Sequence, residues 1–136
     1  MHEDGAGIER FDVATSTTRL VVSEKELDGS VAEIAVAGGC GAAIVAGPEW
    51  GVNPTSVVTF DPVLGKPSAP VLGPTTGYDL QGLAWRGNTL FVGDRRPNGA
   101  GYVVHVLERE GASCTLRDTG RTITLPQRPV ALRPTR

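Results

Sequence analysis

Residues 80–107, LQGLAWRGNTLFVGDRRPNGAGYVVHVL, decide how this chain reads. Three short apolar runs, 80–85, 89–93 and 102–107, are set apart by turn chemistry. Arg86-Gly87-Asn88 is a tight hairpin signal, and 95–101 is a longer polar loop with Pro and Gly. Three strands joined by two such connections make an antiparallel unit, and similar units lie on both sides of it.

Upstream, 8–13 (IERFDV) alternates, with Ile8, Arg10 and Asp12 on one face and Glu9, Phe11 and Val13 on the other. Strands are expected at 19–23 (RLVVS), 31–37 (VAEIAVA), 42–46 (AAIVA), 56–61 (SVVTFD) and 70–73 (PVLG). Residues 24–30 read as a charged loop and 47–54 (GPEWGVNP) as a Gly/Pro loop. Downstream, 114–118 is a strand continuing as 122–125, and 129–132 (PVAL) is a last short one. No window of eleven residues places apolar side chains at i, i+3, i+4 and i+7, so no helix is expected. The 18 Gly and 10 Pro fall between the apolar runs as turn punctuation.

Superimposing the runs gives a period of about 48 residues. Ile34, Leu83 and Val130 match, and Ala35, Ala84 and Ala131 follow in register. Phe11 matches Phe60, each is followed by Asp and a turn, and Val106 falls where the next member belongs. Four short strands per unit at this period predict an all-β chain of β-propeller blades, four-stranded antiparallel sheets, with two to three blades present. A β-sandwich is the alternative, with similar strand spacing but without this register. In blade terms the 136 residues form a single partial propeller unit. Residues 8–23 are strands C and D of one blade, 31–73 and 80–125 are two blades, and 129–132 is an inner, A-type closing strand.

The blade GLAWRGNTLFVGDRRPNGAGYVVHVLE resembles those of NHL-like and gluconolactonase-like (SMP-30-like) six-bladed propellers. Gly82-Leu83-Ala84, the run Leu90-Phe91-Val92-Gly93-Asp94, and residues 103–106 carry the resemblance. The neighbouring unit carries it poorly, because 42–46 lacks the aromatic and the terminal Asp. The resemblance implies a scaffold shared by many functions. For the lactonase subgroup it implies a metal held by carboxylates and an Asn. Asn53 and Asp94 are of those residue types but stand in no matching motif, so no metal ligand, catalytic residue or cofactor is assigned.

Charge and motifs narrow the function. Residues 1–85 hold eleven Asp/Glu against four Lys/Arg, and 86–136 hold nine Arg against four acids. The overall charge of −2 argues against nucleic acid as the main partner. No run of about 18 apolar residues is present, so no membrane span is expected. Residues 1–30 show no basic-then-apolar leader, which leaves the compartment open. The nucleophile elbow and the phosphate loop are absent. His105 reads as a strand-facing side chain, Asp94 as a turn acceptor, and Trp85 as packing. Cys40 and Cys114 fit no zinc or redox spacing, and no bond is expected between them: Cys40 sits in an inner turn, Cys114 at the start of an outer strand of the next unit.

These readings predict a non-catalytic binding or structural module, with a metal-dependent lactonase as the alternative. A carbohydrate-binding propeller would need an aromatic platform in each unit, and only Trp50 offers one. The chain is expected to associate, with copies of itself head-to-tail or with the rest of a longer propeller. A ligand site, for a protein or an anionic small molecule, is expected on the rim loops. Those carry Glu49, Trp50 and Asn53; Tyr78, Asp79 and Gln81; and Arg95, Arg96 and Asn98. The Arg95–Arg96 pair is the expected anion contact.

Overall fold

The computed structural model describes residues 6–48, 52–95 and 101–135. Strands make up 56% of it and helix 3%, so the chain is all-β as expected. Among the described residues, nine strands form three antiparallel sheets. The first sheet pairs β1 (Gly7–Asp12) with β2 (Thr17–Ser23). The second has the order β3 (Ser30–Ala37), β4 (Cys40–Ala46), β5 (Thr55–Phe60). The third has the order β6 (Leu80–Arg86), β7 (Thr89–Asp94), β8 (Tyr102–Arg109), β9 (Leu116–Leu125). Residues 68–75 run antiparallel along the free edge of β5. Val71 N–H donates to Val57 O, Val57 N–H to Leu72 O, and Thr75 N–H to Thr55 O, at 2.8, 2.9 and 2.8 Å.

The sheets stack face to face. Ile8 and Val22 of the first sheet bury against Ala43, Val45, Val58 and Phe60. On the opposite face of the second sheet, Ala42, Ile44 and Val57 pack on Leu80, Leu83, Trp85, Leu90, Val92 and Leu107 of the third. Both faces of β4 are therefore covered, which explains why its run CGAAIVA is apolar without alternation. Gly41 is small because a Cβ there would run into the Phe60 ring lying across it. The Trp85 indole N–H donates to Ala35 O of β3 at 3.1 Å, tying the first strands of the two sheets together.

Cover is incomplete on two faces. The first sheet reaches Val31 at the start of β3 but leaves Ile34 and Val36 exposed on that side. On the third sheet's far face, residues 129–132 cross β6 and β7. Gln81 Nε2 donates to Val130 O at 3.0 Å, and Leu132 closes over Gly82, whose φ of 100° and missing Cβ make room for it.

Ladder details recur along the chain. A register shift falls between Val31 and Glu33 in the β3–β4 pair and between Leu80 and Leu83 in the β6–β7 pair. Val36, Gly41 and Phe60 stand in one cross-strand row; Trp85, Leu90 and Leu107 stand in another. Leu107, one residue after Val106, holds the place in its row that Phe60 holds in the other. A one-residue slip moves a side chain to the other face, and Val106 indeed points away from the second sheet. Asp12 and Asp61, each directly after its Phe, build the same turn. Asp12 Oδ1 accepts from Ala14 and Thr15 N–H at 2.9 and 3.2 Å, and Asp61 Oδ1 accepts from Val63 and Leu64 N–H at 2.7 and 2.9 Å.

Two expectations are corrected. Residues 24–30 are not all loop: α1 (Glu24–Leu27) is a single helical turn with a capping box. Glu26 N–H donates to Ser23 Oγ at 3.1 Å, and Ser23 N–H donates to Glu26 Oε2 at 2.8 Å. A turn this short leaves no apolar period to read.

The second correction is the cysteines. Cys40 and Cys114 are joined by a disulfide, with Cα atoms 5.1 Å apart and a sequence separation of 74. The β3–β4 and β8–β9 turns emerge at the same end of the stacked sheets, which brings the two cysteines together despite their different positions within their sheets. Arg109 shows the closeness. Its guanidinium donates to Ser113 O and Ala112 O of its own turn, both at 2.7 Å, and to Gly38 O of the other turn at 2.8 Å. A cross-link closing a loop of this size stabilises by about 2–4 kcal/mol. We expect no free thiol when the unreduced protein is unfolded and titrated. We also expect the Cys40→Ala/Cys114→Ala variant to melt several degrees lower. One free thiol per cysteine would contradict this assignment.

Candidate binding rim

The end of the stack opposite the disulfide is organised by two threonines, the buried Thr55 and the half-buried Thr75. Thr55 N–H donates to Thr75 Oγ1 at 2.9 Å, and the two hydroxyl oxygens are 2.7 Å apart. Thr75 Oγ1–H donates to Gly77 O at 2.6 Å, so the Thr55 hydroxyl hydrogen goes to Thr75. Thr55 Oγ1 in turn accepts from Leu80 N–H at 3.0 Å. Each hydroxyl hydrogen is thus used once, and the network fixes where β6 begins. A donor left unpaired here would cost about 1–3 kcal/mol.

That anchor sets Tyr78, Asp79 and Gln81 beside the end of β7. Arg95 N–H donates to Asp79 O at 2.8 Å. The Arg95 guanidinium folds back, donating through Nη2 to Tyr78 O and lying 5.0 Å from the Tyr78 ring centroid as a cation–π contact. Arg95 Nε and Asp79 Oδ1 are both buried without a hydrogen-bond partner. The Asp79 carboxyl titrates above the ordinary aspartate range. Burial is the larger cause, the neighbouring Asp94 charge adds to it, and Arg95 opposes both.

One strand further in, His105 Nε2 and Asp94 Oδ2 are 2.8 Å apart, with side chains 13% and 8% exposed. His105 pairs across the ladder with Val92 on the face toward the second sheet. Between β3 and β6 lies a cavity of about 120 Å³ lined by Ala32, Glu33, Ile44, Tyr78, Leu80 and Gln81. Burial raises the Glu33 carboxyl, and a hydrogen bond from the Leu83 backbone opposes that.

The expected rim residues separate into three groups. Asp79 and Arg95 come together. The Asn53 loop adjoins them, since Val52 O lies 3.7 Å from where a Gly77 Cβ would stand; Asn53 itself is exposed at a φ of 46°. Gln81 is committed to the Val130 carbonyl. Glu49, Trp50, Arg96 and Asn98 lie outside the described residues, so the Arg95–Arg96 fork has only its first member on view. Glu33 and the His105–Asp94 bond were not anticipated. The signal for Glu33 was an acid within the otherwise apolar VAEIAVA. Nothing in the sequence paired His105 with Asp94, because the match depends on the β7–β8 register.

Among the described residues no three His, Cys, Asp or Glu side chains converge as metal ligands would. The rim holds one buried acceptor and one buried donor of opposite charge beside an aromatic ring. No protein-family model, curated protein or solved structure matches the chain.

The sign of the Asp79 effect is set by its raised pKa. The native state holds the Asp79 proton more tightly than the unfolded chain does. The stability that this contributes at low pH is lost as pH rises through the native pKa. We expect Asp79→Asn to gain in melting temperature relative to the parent as pH rises from about 3 to about 7. A gap that is constant or narrows over that range would mean Asp79 is better solvated than described.

Proposed function

We propose that this chain is a β-propeller unit acting as a non-catalytic binding or structural module. The observation that carries the reading is the recurrence of ladder detail at the sequence period. The shifts at Val31/Glu33 and Leu80/Leu83 are 49 to 50 residues apart, and the Asp12 and Asp61 turns 49. Register shifts depend on the ladder of hydrogen bonds, not on apolar composition. Sheet stacking supports the same reading: β3, β6 and residues 129–132 follow one another as neighbours at about the same period. A sandwich would pair two sheets, and here the second sheet has neighbours on both faces.

In this reading the rim around Tyr78, Asp79 and Arg95 is where a ligand or partner protein engages. Loops vary there while the stacked sheets hold them in place. The Cys40–Cys114 bond suits an oxidising compartment. The resemblance to gluconolactonase-like propellers keeps the lactonase reading as the rival.

An experimental structure of the purified protein, with lactone hydrolysis assayed in added Ca²⁺ and Zn²⁺, tests the proposal. We expect β3, β6 and 129–132 to line one common axis and no turnover above the buffer rate. Two sheets closed as a sandwich would overturn the propeller assignment. Metal-dependent turnover, abolished by Asp94→Asn, would overturn the non-catalytic one.

A further inference from the structure

The far face of the third sheet is half covered. Residues 129–132 lie over β6 and β7, and Val104 and Val106 of β8 are buried, while Ile123 of β9 stays open to solvent. Between the covered and open halves runs an apolar groove of about 250 Å³ with Phe91, Val104, Ile123 and Leu125 along it. Ile123 is 47% exposed.

The first sheet has the opposite deficit. It is two strands wide, and it already rests on β4 and β5 through Ile8 and Val22. Its other face carries Phe11 beside Thr18 and Glu9 beside Leu20. Phe11 is 57% exposed, whereas Phe60, placed before the same kind of Asp turn 49 residues later, is 2% exposed against the first sheet. The same element thus buries its aromatic at one position and leaves it bare at the other.

Resting on the propeller-unit reading, we propose that the β1–β2 hairpin of one copy seats Phe11 and Leu20 in the β8–β9 groove of a second copy. Charge selects a second copy over an unrelated apolar partner. Arg86 and Arg133 border the groove, and Arg121 stands two residues from Ile123 on the same strand face. Glu9 stands two residues from Phe11 on the hairpin face. The same polarity runs through the chain, acidic in 1–85 and basic in 86–136. The contact joins two different surfaces, so it is heterologous and propagates head-to-tail until a ring closes.

A heterologous contact has a distinctive test. Phe11→Glu spoils the hairpin and leaves the groove intact; Ile123→Glu spoils the groove and leaves the hairpin intact. Both residues are exposed, and far-UV circular dichroism checks that each variant is folded. Light scattering should show the parent associated. Each variant alone should be monomeric, with self-affinity weakened about a hundredfold or more. Their equimolar mixture should form a dimer that grows no further. Leu20→Glu in place of Phe11→Glu should behave the same way and covers a folding defect in the first variant. A monomeric parent, variants that assemble as the parent does, or a mixture that stays monomeric would each overturn the proposal. The propeller reading would survive those outcomes, since it is judged on the arrangement of strands within one chain.

Discussion

The structure depends on a strand that has no face to give to water. Every residue of β4 but the last is buried, because the first sheet occupies one side of it and the third sheet the other. Burying a Val, Ile or Phe side chain is worth about 1.5–3 kcal/mol, and both faces of one strand contribute here. The second sheet therefore cannot fold as an independent two-faced sheet. It needs neighbours, and the rest of the molecule supplies them. Trp85 reaches across to Ala35, Arg109 reaches across to Gly38, and the disulfide closes the same end covalently.

That constraint separates the two ends of the stack. One end is stapled by the disulfide and the Arg109 guanidinium. The other is held by neutral hydroxyl and backbone hydrogen bonds around Thr55 and Thr75, with Asp79, Asp94, Arg95 and His105 clustered above them. Polar groups that are buried and incompletely paired, such as Asp79 Oδ1 and Arg95 Nε, lie at this second end. A buried donor and acceptor without partners lower stability, and sites that bind often carry that cost.

Much of the fold was legible because strand period and turn chemistry are local. Arg86-Gly87-Asn88 marked the β6–β7 hairpin, Gly38-Gly39 marked the β3–β4 turn, and the edge segment at 70–73 was visible as a short apolar run between prolines. What was not legible depended on which sheet lies on which. The disulfide required knowing that two turns 74 residues apart emerge at one end. The placement of Leu107 rather than Val106 beside Leu90 required the β7–β8 register. The rim was legible in part: the residue types at 78, 79 and 95 pointed to it. The folding back of Arg95 onto Tyr78, and the loss of Gln81 to the Val130 carbonyl, are three-dimensional facts with no local signature.

Burial of the middle sheet is intrinsic to one chain, and in the head-to-tail contact proposed above burial of the outer faces depends on assembly. Amide hydrogen exchange followed by mass spectrometry at low and high protein concentration separates the two. The account predicts that β4 and β5 exchange slowly at both concentrations, while β1, β2 and β9 exchange quickly when dilute and slow down as concentration rises. Exchange in β4 as fast as in β1–β2, or protection of β1, β2 and β9 that does not change with concentration, would contradict it.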